Sequence, residues 1–147
     1  MPKISVIMPI YNTKTKHLQQ AIESILNQSF TDFEFLILND TPKNTELDDI
    51  VTAYSDNRIQ YMKSECNLGV AEAHNRLLKM AKGKYIAIMD HDDISLPQRL
   101  EQQYAFMESH EDVGVCGTGY KRFGKISKVK TIIHPEGHEI IKASLIF

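Results

Sequence analysis

ISVIMPIYN occupies residues 4–12 and is almost entirely apolar. We predict a buried strand over Ile4–Met8, ended by Pro9, because successive side chains of a strand point to opposite faces and both faces here are largely apolar. Such a strand is typical of a parallel sheet that helices cover on each side. Further apolar runs of strand length stand at 33–38, 59–62, 85–89, 113–116 and 131–133.

Segments with helical spacing separate these runs, because their apolar residues recur every three or four positions. Thr45 is the predicted N-cap of the second helix, with Asp48 three residues later, and Gly83 is predicted to end the third helix. Strands that alternate with helices predict an α/β fold, a three-layer sandwich with a mainly parallel, Rossmann-like central sheet. The helical segments are about 17–28, the residues after Thr45, 70–81, and the residues after Ser95 and Pro97.

Composition and charge favour an ordinary globular chain. The 147 residues suit one domain, and a formal net charge of −2 gives no basic excess of the kind that binds nucleic acid. Cys66 and Cys116 form no CxxC pair, so we expect two free thiols in a reducing compartment, with a chance disulfide as the alternative. The first apolar run is too short for a signal peptide or a membrane span, so we expect a cytoplasmic chain.

Polar side chains follow four of the predicted strands, at the edge where parallel sheets bind ligands. Loops are polar in general, so chance clustering is the alternative interpretation. The acidity of the last segment favours a binding site. The segments are Pro9–Asn12, Asn39–Thr41, Glu65–Gly69 and Asp90–Asp93.

Asp90-His91-Asp92-Asp93 places three carboxylates within four residues, and their mutual repulsion destabilises an empty site. On extended backbone Asp90 and Asp92 would point to one side, where their oxygens suit a hard cation such as Mg²⁺ or Mn²⁺. The alternative is an acidic loop at a helix entry, capped by Ser95. We expect His91 to be a bystander rather than a ligand, and His74 to have a structural role.

Other phosphate-binding and catalytic motifs are missing from the sequence. There is no GxxxxGK[ST] motif, and the glycines at 117, 119 and 124 have the wrong spacing for a dinucleotide fingerprint. Residues that could form a Ser/His/Asp or Cys/His nucleophilic site do not stand out. These observations argue against a nicotinamide-dependent enzyme and a covalent hydrolase.

Taken together, the motifs resemble the family 2 inverting glycosyltransferases, which have the GT-A fold. The resemblance covers nearly the whole chain, in order and at the right spacing. The segments that carry it are SVIMPIYN (5–12), ESILNQSF (23–30), EFLILND (34–40), NLGVA (67–71) with Asn75, AKGKYIA (81–87), DHDD (90–93), and Pro97, Arg99 and Leu100.

The resemblance implies roles for particular residues. Pro9, Tyr11 and Asp40 would hold the nucleotide base, with Asp40 accepting a hydrogen bond from it, and the Gly69 segment would line the base and ribose pocket. Asp92 would bind the divalent metal, Mn²⁺ or Mg²⁺, and Asp90 would reach the ribose or the metal's water shell. The predicted donor-binding set is completed by Asn12, Asn75 and Asp93.

The resemblance also implies an activity: transfer of a sugar from a nucleoside diphosphate, most simply UDP, to an acceptor hydroxyl with inversion. The acceptor would be a glycan or a lipid-linked glycan of polysaccharide biosynthesis, and a longer protein could sit peripherally at the inner face of the membrane. The alternatives are a non-catalytic nucleotide-sugar-binding module and a sugar-nucleotide pyrophosphorylase. The latter needs a glycine-rich basic loop, whereas residues 9–16 contain neither glycine nor arginine.

We further expect residues 1–147 to form one donor-binding domain that stops before the acceptor-binding half. In the family the general base is an acid of that later half. Glu136 and Glu139, the acids that follow the predicted fifth strand, match no such position.

Overall fold

A computed structural model describes residues 1–122, 131–134, 136–138 and 140–141. Internal contacts divide the chain into two units, Met1–Phe106 and Met107–Phe147, and each is described by itself. The single domain predicted over residues 1–147 stays a prediction. Glu139 and residues 142–147 lie outside the described residues.

The first unit has the predicted α/β architecture. In the described part of the chain, four strands form one sheet in the order β3-β2-β1-β4, and every pairing between neighbours is parallel. None of the described helices is both long and apolar enough to cross a bilayer. The helices and strands described in the two units together are β1 (Ile4–Ile10), α1 (Thr15–Leu26), β2 (Phe33–Asn39), α2 (Glu46–Thr52), β3 (Ile59–Lys63), α3 (Val70–Met80), β4 (Tyr85–Ile88), α4 (Arg99–Ser109), β5 (Tyr120–Lys121) and β6 (Thr131–Ile132).

Two hydrophobic cores lie on opposite faces of the sheet. Alternate residues of β1 and β2 enter each core, which explains why both strands are apolar almost throughout. One face packs against α1 and α2, together with Leu100 of α4. The other face packs against Ala73 and Leu77 of α3. The three-layer sandwich predicted from the sequence is therefore confirmed.

The predicted fifth strand is wrong. Residues 113–116 form no strand, and Val115 is 87% exposed. A short apolar run forms a strand when a partner pairs with its backbone, and no strand pairing among the described residues includes 113–116. The predicted sixth strand forms as β6, which pairs antiparallel with β5. Neither Cys66 nor Cys116 forms a disulfide.

Gly83 has a different role from the helix stop that we predicted. The α3 helix already ends at Met80, and a Cβ atom on Gly83 would lie 2.4 Å from the backbone nitrogen of Ser5. The Gly83 N–H donates to Ser5 Oγ at 2.8 Å, and Ser5 Oγ donates to the buried Glu34 carboxylate at 2.6 Å. Glu34 also accepts the Lys82 N–H at 2.7 Å. The backbone at Gly83 thus lies directly against the backbone of β1, and these hydrogen bonds join the α3–β4 connection to β1 and β2.

Asp48 is not part of a capping box. Thr45 is the N-cap residue of α2 but makes no side-chain cap hydrogen bond. The Asp48 carboxylate instead accepts hydrogen bonds from Asn39 Nδ2 at 2.8 Å, from the Tyr61 hydroxyl and from Lys63 Nζ. Burial opposes ionisation of Asp48, but these donors outweigh it and hold its pKa below the ordinary 3.8. This cluster ties α2 to the carboxyl ends of β2 and β3.

The side chain of Gln28, a buried residue just after α1, attaches the loop that follows β4 to the C-terminal end of that helix. Its Nε2 donates to the Leu96 carbonyl at 2.8 Å, and its Oε1 accepts the Leu100 N–H at 3.0 Å. The fourth helix therefore begins at Arg99 rather than at Ser95 or Pro97. Gln28 thus supplies the acceptor for the Leu100 N–H, one of the first-turn N–H groups that have no acceptor within the helix.

We predict that Gly83→Ala lowers the free energy of unfolding by about 1–3 kcal/mol, because the added methyl group would overlap backbone that the sheet holds in place. Urea unfolding followed by circular dichroism measures the change. Gly114→Ala is the matched control, since a Cβ there meets nothing within 4 Å. Equal stability of the two variants would contradict the close-approach role.

We predict that Asp48→Asn costs about 1–3 kcal/mol at neutral pH, because the amide cannot accept charge-assisted hydrogen bonds from all three donors. Since the folded pKa of Asp48 is lowered, its contribution is complete above 3.8 and is lost as the pH falls through the folded value. Urea unfolding of both proteins over a pH series measures this. A difference that persists unchanged in strong acid would contradict the ionic role of Asp48.

Candidate functional site

A cleft of about 250 Å³ opens at the carboxyl edge of the sheet. It lies where β1, β2 and β4 end and where α3 begins, as expected for a ligand site in an open parallel sheet. Five of the predicted donor-binding residues line it, together with two histidines that we had not assigned to binding. The lining residues are Pro9, Tyr11, Asp40, Asn67, Gly69, Val70, Ala73, His74, Asp90 and His91.

The loop after β1 brings Tyr11 to the cleft, with 55% of the residue exposed. Asn12 follows with a φ of 46°, a left-handed conformation that asparagine tolerates better than most residues. Its backbone N–H donates to Thr41 Oγ1 at 2.8 Å, and the Thr41 N–H donates to Asn39 Oδ1 at 2.9 Å. Asn12 is not among the residues that line the cleft, although it forms the turn that presents Tyr11. Its predicted role in donor binding stays a prediction.

Asp40 is 3% exposed and organises the far wall of the cleft. Its two oxygens accept hydrogen bonds from Ser64 Oγ at 2.9 Å, Asn67 Nδ2 at 3.0 Å, and the backbone N–H groups of Leu68 at 2.8 Å and Gly69 at 3.0 Å. Four donors fill the usual capacity of a carboxylate, which stabilises its charge without a cationic partner. The carboxylate thereby joins the end of β2 to the start of α3.

Gly69 is the N-cap of α3 and has a φ of 78°, a conformation that glycine adopts without strain. This geometry turns the chain so that the Gly69 N–H faces Asp40 while its carbonyl accepts the first helical hydrogen bond, from Ala73, at 3.0 Å. Asn75 lies further along α3, is exposed and does not line the cleft. Its predicted role in donor binding stays a prediction.

The acidic segment after β4 forms a turn, so the extended backbone that we expected is wrong. The Asp93 N–H donates to the Asp90 carbonyl at 3.3 Å, which closes a turn over His91 and Asp92. Asp90 lines the cleft, whereas Asp92 and Asp93 are exposed beside it. Burial, together with the charges of Asp90 and Asp92, raises the pKa of Asp93. The three carboxylates therefore repel one another in this arrangement.

A divalent cation fits the chemistry of this turn. Mg²⁺ and Mn²⁺ prefer oxygen ligands, and a nucleotide-bound Mg²⁺ takes one or two carboxylates, completing its shell with phosphate oxygens and water. Asp90 and Asp92 can supply that number. Within the described residues, no group of three or more His, Cys, Asp or Glu side chains is arranged to hold a metal by itself. The metal-binding roles of Asp90 and Asp92 remain predictions.

The two histidines were the residues that sequence reasoning undervalued. His74 lines the cleft from α3, and its Nδ1 lies 2.8 Å from the Val70 carbonyl, one turn earlier. His91 has a buried Nδ1 that finds no hydrogen-bond partner in the part of the chain that is described. The sequence could have indicated that His74 lies at the cleft. Helical spacing places it one turn after Val70, near the N-terminus of α3, where Gly69 is the N-cap.

Comparisons with known proteins agree with this geometry. The family model described as Glycosyl transferase family 2 matches residues 5–145. The uncharacterized glycosyltransferase MJ1057 of Methanocaldococcus jannaschii is 46% identical over 114 residues, covering 76% of this chain and 39% of the relative. The Escherichia coli protein WfgD, named as a UDP-Glc:alpha-D-GlcNAc-diphosphoundecaprenol beta-1,3-glucosyltransferase, is 37% identical over 105 residues, covering 71% of this chain and 40% of the relative.

Solved structures give the same fold. The S. aureus protein TarS, in a crystal structure with UDP-GlcNAc, is 27% identical with a TM-score of 0.67, and the match covers 74% of this chain and 32% of TarS. The chain thus spans well under half the length of these relatives. Because one family model accounts for nearly all of the sequence that forms the sheet and its acid-lined cleft, the chain belongs to glycosyl transferase family 2.

Proposed function

We propose that the cleft binds a nucleoside-diphosphate sugar, most simply a UDP-sugar, as the donor of a glycosyl transfer. The observation that carries the proposal is the meeting of Tyr11, Asp40 and Asp90 at one edge of a parallel sheet. Two relatives support uridine, because TarS was crystallised with UDP-GlcNAc and WfgD is named for UDP-Glc. The activity of the whole protein is part of the proposal, since the chain spans about 40% of WfgD.

The nucleoside would lie between Tyr11 and the segment that Asp40 holds. The half-exposed Tyr11 ring offers a flat apolar face for a base, and Pro9 adds a rigid apolar wall. Asp40 orients Asn67 and Gly69 through the hydrogen bonds described above. A base N–H that donates to Asp40 would replace one of its present donors.

The diphosphate would extend toward the acidic turn, with Asp92 and Asp90 holding Mn²⁺ or Mg²⁺. No lysine or arginine is among the described residues that line the cleft, so an anionic ligand needs positive charge from elsewhere. When bound there, the cation would neutralise charge on the departing diphosphate. The turn closed by the Asp93 N–H sets the spacing of the two carboxylates.

Transfer with inversion would follow from a single displacement by an acceptor hydroxyl on the opposite side of the sugar from the diphosphate. The acceptor would be a glycan or a lipid-linked glycan, as the name of WfgD says of that protein. We assign the general base to no residue of this chain. Cytoplasmic location and peripheral membrane association of a longer protein remain predictions.

We predict that UDP binds this chain in the presence of Mn²⁺, and that EDTA or Asp92→Asn weakens the binding about tenfold or more. Isothermal titration calorimetry measures the affinity. Asp32→Asn is the matched control, because Asp32 is an exposed acid just before β2, at the opposite end from the cleft. A UDP affinity that is the same with Mn²⁺, with EDTA and in Asp92→Asn would contradict the predicted metal site.

The same titration, together with a transfer assay that uses a UDP-sugar and glycan acceptors, separates the two candidate functions. Metal-dependent donor binding without transfer to any glycan acceptor would favour a nucleotide-sugar-binding module. No binding of UDP, GDP or TDP under any condition would contradict a donor site in this cleft.

A further inference from the structure

The cleft has few sources of positive charge. Two basic side chains on neighbouring elements have partners outside the cleft: Arg76 lies 3.7 Å from Glu72, and Lys63 pairs with Asp48. Arg99 donates to the Ile88 carbonyl at 2.9 Å. Among the described lining residues, the side chains that can carry positive charge are therefore two histidines, His74 and His91.

The hydrogen bond of His74 defines which ring nitrogen carries hydrogen. Its Nδ1 lies 2.8 Å from the Val70 carbonyl oxygen, and a carbonyl oxygen can only accept. Nδ1 must therefore be the donor, and the neutral ring is the tautomer with hydrogen on Nδ1. Nε2 then has only a lone pair when the ring is neutral, and it becomes a charged N–H donor when the ring is protonated.

Two kinds of oxygen in a nucleotide sugar can only accept hydrogen bonds, whereas the hydroxyl oxygens of ribose and of the sugar can also donate. Diphosphate oxygens accept hydrogen bonds, and so do the carbonyl oxygens of uracil. A neutral Nε2 would face either of them lone pair to lone pair, which is unfavourable. A protonated Nε2 would donate a charge-assisted hydrogen bond, which is about twice as strong as a neutral one.

We propose that protonated His74 donates from Nε2 to an acceptor oxygen of the bound nucleotide donor. The inference rests on the proposed function, since it concerns the same cleft. Ligand binding then favours the protonated ring, so by linkage the donor binds more tightly as the pH falls through the range in which histidine takes up a proton. His74 becomes a nucleotide-binding residue as well as the determinant of the pH response.

Other groups around His74 do not produce this response in the same pH range. Phenols and carboxyl groups ordinarily change charge outside the pH range in which an imidazole does. The groups of these kinds that line the cleft are Tyr11, after β1, and Asp40 and Asp90, at the ends of β2 and β4. On α3 itself, Glu72 and Arg76 form an ion pair with each other. His91 is the second imidazole of the cleft, so variants must separate its contribution from that of His74.

The test is calorimetric titration of UDP-glucose at saturating Mg²⁺, at about pH 6 and about pH 8. A UDP-sugar is the right probe because its diphosphate is esterified at both ends, whereas the terminal phosphate of UDP itself titrates near pH 6. We expect the unmodified chain to bind about tenfold more weakly at the higher pH, the factor that corresponds to one unit of pKa coupling.

Two substitutions at His74 sharpen the test. His74→Gln places an amide near the position of Nε2, so we expect binding to persist but to lose its pH dependence. His74→Arg carries a permanent charge and should bind at about pH 8 as well as the unmodified chain does at about pH 6. His17→Gln removes an exposed histidine of α1 and should leave the response unchanged. Circular dichroism checks that each variant is folded.

Uridine, which lacks phosphate, identifies the oxygen. A pH response that persists with uridine indicates a base carbonyl, and one that disappears indicates the diphosphate; either result supports the inference. Measurable binding that is independent of pH, or a pH response that is as large in His74→Gln as in the unmodified chain, would overturn it. A complete absence of UDP-sugar binding at both pH values would instead overturn the proposed function, and this inference with it.

Discussion

Burial of β1 and β2 on both faces is the constraint on which the rest of the first unit depends. Ile7 and Leu36 face α3, while Val6 and Phe35 face the helices on the other side. Each such side chain contributes about 1.5–3 kcal/mol when it is removed from water. The chain must therefore place helices on both sides of the sheet, with a loop after each strand at the carboxyl edge and a loop before each strand at the amino edge.

Buried polar side chains then determine where those loops lie. Glu34 holds the connection between α3 and β4, and Gln28 holds the loop between β4 and α4. Asp40 draws the entry of α3 onto the end of β2. Each carboxylate or amide is buried with its hydrogen bonds satisfied, and an unsatisfied group of this kind would cost about 1–3 kcal/mol. Of these three side chains Asp40 lines the cleft, whereas Glu34 acts at the amino ends of β1 and β2.

The electrostatics of the cleft differ between its two ends. At the Asp40 end the negative charge is already compensated by four hydrogen-bond donors. At the Asp90 end the carboxylates repel one another, and the raised pKa of Asp93 reflects burial as well as that repulsion. A neutral base suits the first environment, and an anion accompanied by a cation suits the second. This polarity matches the orientation that we propose for a nucleotide sugar.

The sequence by itself determined the parallel α/β sheet, its four main strands and the edge at which polar residues converge, because strand and helix periodicities are local and strong in residues 4–89. It also located Tyr11, Asp40 and Asp90 correctly at that edge. Only the tertiary structure decided the roles of Gly83 and Asp48, the place of His74 in the cleft and the absence of a strand at 113–116. Each of those outcomes depends on a partner distant in the chain, or on the way in which a local element faces its neighbours, and neither leaves a periodic signal in the sequence.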